Sequence, residues 1–159
     1  MTKHLAVVLA LAALLVGSAA FAADDMGYRV YTTDGKFEDV RDDLKNAIIN
    51  KGFVIDHVGR FNDMLERTAE ATGGVMSPYK NAEYLQFCPV KLTHDAVNAT
   101  PLAIANCPIS IFVFEARADA GTVQLGYRLP PATPSPALRD INAKLEALLD
   151  SLAKEAAGK

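Results

Sequence analysis

The chain has two cysteines, Cys88 and Cys107. Each is followed by proline (Cys88-Pro89, Cys107-Pro108), and His94 lies between them. Two thiols and an imidazole at this spacing admit three chemistries. In an oxidising compartment a lone cysteine pair favours a disulfide. A bridge closing a loop of this length contributes about 3 kcal/mol in the chain-entropy picture. Alternatively Cys88, His94 and Cys107 gather around a soft metal such as Cu(I) or Zn(II), or the thiols do redox work. A structural zinc needs four ligands at recognisable spacing, and the chain has no C-x-x-C, no H-E-x-x-H and no cluster of His or Met. The third reading is two unpaired, buried thiols. Strand direction decides among them. Antiparallel strands bring both cysteines to one end of a sheet, and a parallel pair with a helical crossover separates them.

Other residue types with chemical potential form no constellation. His94 has polar neighbours (Lys91, Asp95, Asn98) and reads as a solvated helix residue. His57 alternates with Phe53 and Ile55, so it falls on their apolar face as a partly buried histidine with a backbone partner. Asp56 and His57 are adjacent on a strand and point to opposite faces. No serine sits in a G-x-S-x-G elbow, Gly73-Gly74 is a helix stop and not a phosphate cradle, and C-x-x-C-H is absent. No catalytic residue and no cofactor is predicted. The loop Gly73 to Asn81, "GGVMSPYKN", carries Met76 and Tyr79, side chains suited to a ligand or partner.

The address is written at the N-terminus. Lys3 and His4 precede an apolar run from Leu5 to Val16, and Ala20-Phe21-Ala22 places small residues at the cleavage positions. This is the layout of a secretory signal peptide cleaved after about Ala22, with an apolar run too short for the roughly 20 residues of a membrane span. The short alanine-rich leader points to a bacterial periplasm. The remainder, residues 23–159, has the length of one domain. Its net charge moves from −3 to −4 on loss of Lys3. A mildly acidic chain without a basic stripe argues against nucleic acid, and no later apolar run is long enough to cross a membrane.

The elements that must position these residues follow from periodicity. Strands are predicted for Tyr28 to Thr32, Phe53 to Val58, Ala82 to Phe87, Ile109 to Ala116 and Thr122 to Leu129. Helices are predicted for Lys36 to Lys51, for Asp63 to Ala71 capped by Asn62, and for Lys91 to Ala99. The strand "ISIFVFEA" is apolar on both faces, which places it centrally. After a proline-rich linker, Ser135 caps a last helix with Pro136 at its first position. In that helix Leu138, Ile141, Leu145, Leu148 and Leu152 form one stripe. The stripe docks on the sheet or, alternatively, pairs a second subunit and makes a homo-oligomer. The expected class is α+β: a two-layer sandwich with a mixed or antiparallel sheet of about five strands and helices on one face.

"KGFVI" (Lys51 to Ile55), "YLQFCP" (Tyr84 to Pro89), "ATPLAIANCPISIFVFEA" (Ala99 to Ala116) and "VQLGYRLPP" (Val123 to Pro131) together resemble the domain of unknown function 302 family, over about Lys36 to Pro131. That family typically shows Cys-Asn-Pro and Pro-Cys at the two cysteines. Here the first lacks the asparagine and the second carries its proline afterwards. The resemblance implies a compact α+β fold and no reaction.

The leading expectation is a periplasmic accessory or binding protein without catalysis. It would hold a small ligand or a periplasmic protein at the sheet edge or the Gly73 to Asn81 loop. The alternative is a thiol-redox or metal-handling protein using Cys88 and Cys107.

Overall fold

The computed structural model describes residues 26–159, so the leader expected over residues 1–22 lies outside the described residues. Five strands, β1 (Tyr28–Asp34), β2 (Ile55–Arg60), β3 (Tyr79–Phe87), β4 (Ile109–Ala116) and β5 (Thr122–Arg128), form one sheet in the order β1-β5-β4-β3-β2. Every neighbouring pair is antiparallel. Four helices, α1 (Phe37–Asn50), α2 (Phe61–Thr68), α3 (Val90–Ala99) and α4 (Pro136–Ala156), complete the α+β sandwich. None is long and apolar enough to cross a membrane.

Helix α1 forms because Phe37, Val40, Leu44, Ala47 and Ile48 recur at helical spacing and are all buried. Glu38 and Asp39 oppose the positive end of its dipole, and Gly52, at φ 84°, turns the chain out of it. Helix α4 starts as the sequence requires: the Leu138 N–H donates to Ser135 Oγ at 3.4 Å, with Pro136 next. Its stripe docks inside the molecule. Leu149, Leu152, Ala153 and Ala156 are buried, and Leu145 and Leu148 pack partly against the same core. The opposing sheet residues are Leu85 and Phe87 of β3, Ile111 and Val113 of β4, and Val123, Leu125 and Tyr127 of β5.

Strand β4 is central, as its composition demands, but only one of its faces is covered by the core helices. Ile111 and Val113 are fully buried, while Phe112 and Phe114, which alternate with them, are half-buried on the opposite face. Helix α2, lying against β3, flanks that opposite face.

Three expectations are corrected. His57 does not share a face with Ile55. The register slips between them, with Ile55 opposite Phe87 and His57 opposite Gln86. The bulge adds a residue that strict alternation cannot anticipate, and His57 is exposed on the open face. Asn62 does not cap α2. Arg60 holds that position without a side-chain bond, and the Asn62 amide donates to the Lys80 carbonyl at 3.2 Å. None of the residues of α2 is buried, and Met64 is 37% exposed. Strand β3 begins at Tyr79, three residues before its predicted start, because Tyr79 pairs with Ala116 across a second irregularity.

Candidate functional site

Cys88 follows β3 and Cys107 precedes β4. These strands are antiparallel neighbours, so both cysteines reach one end of the sheet. The structure joins them in a disulfide with Cα atoms 5.8 Å apart. The bridge clips shut the α3 excursion between the strands and leaves no free cysteine among the described residues. His94 is not brought to it: the imidazole is exposed on α3, and it is Thr93 that faces the bridge, its Oγ1 3.8 Å from Cys107 Sγ. The described residues hold no group of three or more His, Cys, Asp or Glu placed to share a metal ion.

Two carboxylates missed by sequence reading are also committed. Glu115, on the core face of β4 and 3% exposed, accepts from the Gly121 N–H at 2.8 Å, from Lys80 Nζ at 3.0 Å and from Asn81 Nδ2 at 3.0 Å. The Gly121 N–H, with help from Lys80 and Asn81, outweighs burial and holds the Glu115 pKa below the ordinary glutamate range. Asp150 of α4 accepts from the hydroxyls of Tyr31 and Tyr127 and pairs with Lys154 Nζ at 2.8 Å. Burial would raise the Asp150 pKa, but the bonds from Lys154 and the two tyrosines bring it below normal. Each anion is saturated with donors and serves to tie elements together: Glu115 joins the β4–β5 turn to β3, and Asp150 joins α4 to β1 and β5.

What remains unspent is the second face of the sheet. Backbone register fixes its central row: Val30 lies opposite Gly126, Gly126 opposite Phe112, Phe112 opposite Tyr84, and Tyr84 opposite Gly59. The two glycines explain why the rings lie flat. A Cβ on Gly59 would collide with the Tyr84 ring, and one on Gly126 would meet Phe112 Cζ at 2.9 Å. Each aromatic therefore leans across a strand that offers no side chain of its own. A continuous file of rings crosses the face: Tyr28 meets Phe112 edge-on (6.3 Å between centroids), Phe112 stacks beside Phe114 (6.1 Å, planes 29° apart), Phe114 meets Tyr79 (5.3 Å), and Tyr79 meets Phe61 of α2 (6.0 Å). These rings, with Met26, Val30 and Gln124, line an open groove of about 610 Å³. Beyond Phe61 and Tyr84, which it shares, lies a second depression of about 370 Å³ walled by His57, Arg60, Met64 and Arg67. His57 stands 5.9 Å from the Tyr84 ring.

Of the loop residues singled out from sequence, Tyr79 belongs to this file and Met76 does not. Tyr79 is half-buried as the first residue of β3. Met76 is 68% exposed and contributes nothing to the groove wall. The loop end is pinned: Arg117 donates its backbone N–H to the Pro78 carbonyl at 2.9 Å and its Nε to the Ser77 carbonyl at 3.0 Å. The sequence carried two signals for the open face. One was the alternating pair Phe112 and Phe114 on one face of β4, and the other was single glycines inside β2 and β5. Apolarity on both faces reads as burial on both faces, which is how the groove escaped notice.

The matches to known proteins bear on fold and lineage. Residues 28–156 match the profile described as "Domain of unknown function DUF302". The crystal structure of an uncharacterized conserved DUF302 protein from Bacillus stearothermophilus is similar, with a TM-score of 0.70 at 16% identity. The match covers 82% of this chain and 98% of that one. No curated protein matches the chain in sequence.

Proposed function

The chain belongs to the domain of unknown function DUF302 family, and from that premise we propose that it is an exported accessory protein that binds a small, apolar, planar ligand on the aromatic face of its sheet. The observation that carries this reading is the uncovered file of rings over Gly59 and Gly126, with its groove of about 610 Å³. Ligand sites are concave and mostly apolar, and this volume is in the range that holds a drug-sized molecule. Aromatic surface left open to water is costly at about 25 cal/mol per Å², so a contiguous patch of it marks a site of contact. The leader expected over residues 1–22 supports export to the periplasm. The sheet face replaces the sheet edge and the Gly73 to Asn81 loop as the binding surface.

The test is fluorescence titration of the mature chain with N-phenyl-1-naphthylamine, a neutral planar probe, alongside the Phe112→Ser variant. Phe112 lies outside the core, so the variant is expected to keep its far-UV circular dichroism. Saturable one-to-one binding, weakened at least tenfold by the substitution, supports the reading. Binding that Phe112→Ser leaves unchanged refutes it. So does a wild-type dimer that the substitution dissociates, since the face would then be filled by a second copy.

A further inference from the structure

The charges beside the groove are unevenly matched. In the depression that continues it, Arg60 pairs with Asp63 at 2.7 Å, and the one remaining acid on that side of α2, Glu66, pairs with Arg117 at 2.8 Å. In the groove wall Glu83 is held by Arg41 at 3.4 Å. Arg67, in the last turn of α2, is exposed and has no ion-pair partner among the described residues. The depression thus holds two guanidiniums against one carboxylate, with His57 beside them, on a chain whose formal net charge is −3. A local cationic excess on an acidic protein, set at one end of an apolar groove, is complementary to a ligand with an apolar body and an anionic end.

Resting on the aromatic face as the binding surface, we propose that the natural ligand is an aromatic acid: a planar ring system on Phe112 and Tyr84, with a carboxylate, sulfonate or phosphate held by Arg67. Tyr84 marks the boundary, since its ring lines both depressions. The near-parallel planes of Phe112 and Phe114 favour a flat body over a branched one. Arg67 supplies a planar fork of donors that matches a two-oxygen anion. Arg60, already bound to Asp63, lines the same depression and adds its charge there.

Two probes that differ by one sulfonate separate this inference from the reading beneath it. 8-Anilinonaphthalene-1-sulfonate and N-phenyl-1-naphthylamine share the same ring body. The anion is expected to bind the mature chain roughly fivefold tighter at low ionic strength, the scale of one partly exposed ion pair. Arg67→Gln is expected to remove that preference and leave the neutral probe unchanged. Added salt at about 0.5 M acts like the substitution, since the Debye length there is only a few ångströms. Equal affinity for the two probes in the wild type overturns the anionic end while leaving the groove standing. A preference that survives Arg67→Gln does the same. If neither probe binds, or both bind Phe112→Ser as well as wild type, the groove itself is refuted and the aromatic acid with it.

Discussion

Replacing Glu115 tests whether the sheet is held in register by one buried anion. Its carboxylate, itself 3% exposed, takes two bonds from uncharged donors, the Gly121 N–H and Asn81 Nδ2, and one from Lys80, whose side chain is 54% exposed. A hydrogen bond to a charged acceptor contributes about 1.5–3 kcal/mol, whereas an ion pair with an exposed lysine adds about 0–1 kcal/mol. Glu115→Ala leaves two donors unsatisfied and is expected to cost about 4 kcal/mol, a large share of the stability of about 5–15 kcal/mol usual for a domain. Glu115→Gln keeps an acceptor for Gly121 but loses charge assistance and sets its amide N–H against Asn81 Nδ2 unless Asn81 turns its own amide over, at about 1–2 kcal/mol. The pH dependence gives a second reading of the same anion. The folded-state pKa is depressed, so the stabilisation is complete above the unfolded value of about 4.3. It is lost as pH falls through the folded value, because the unfolded chain binds the proton first. Urea denaturation of wild type, Glu115→Ala and Glu115→Gln at pH 7, repeated in steps down to pH 3, measures both. A Glu115→Ala loss below about 1 kcal/mol would refute the magnitude. A wild-type advantage over Glu115→Gln that does not shrink in acid would refute the mechanism.

The disulfide should contribute about 3 kcal/mol, so Cys88→Ser/Cys107→Ser and reduced wild type are expected to show the same drop in denaturation midpoint, with intact mass reporting the two hydrogens gained on reduction. Gly126→Ala drives its new methyl into the Arg29 carbonyl of the paired strand as well as Phe112, and a strand backbone cannot retreat, so a loss of about 3 kcal/mol is expected. Gly59→Ala meets only the Tyr84 ring, which can swing away; chemical denaturation should show a loss of about 1 kcal/mol or less, with weaker binding of the neutral probe. Burial, then the Asp150 carboxylate, raises the pKa of Tyr127, and burial with the bond to Asp150 raises that of Tyr31. Both raised values mean stability that is complete below about pH 10 and lost as pH rises through the folded values. Absorbance at 295 nm should show Tyr31 and Tyr127 keeping their protons above about pH 10, and Asp150→Asn should lower the pH at which those two ionise.

Residue order alone determined the elements and their facing where one side of each is core and the other is water. Helix α1, the inward set Val123, Leu125 and Tyr127 of β5, and the Ser135-Pro136 entry to α4 were all legible because burial and solvation alternate there with the period of the backbone. The central place of β4 was legible too, from the apolar residues on both faces between Ile111 and Phe114. Three things waited for the tertiary structure. Strand direction decided the cysteines, because a disulfide depends on distance between chain ends and no local pattern encodes which neighbour a strand takes. A one-residue bulge in β2 decided the face of His57, and bulges arise from how two strands fit together. The aromatic groove was decided by what does not lie over β4. Composition reports that a residue is apolar, while only packing tells whether another layer covers it, and here the rings of Tyr84 and Phe112 lie over Gly59 and Gly126 of the neighbouring strands.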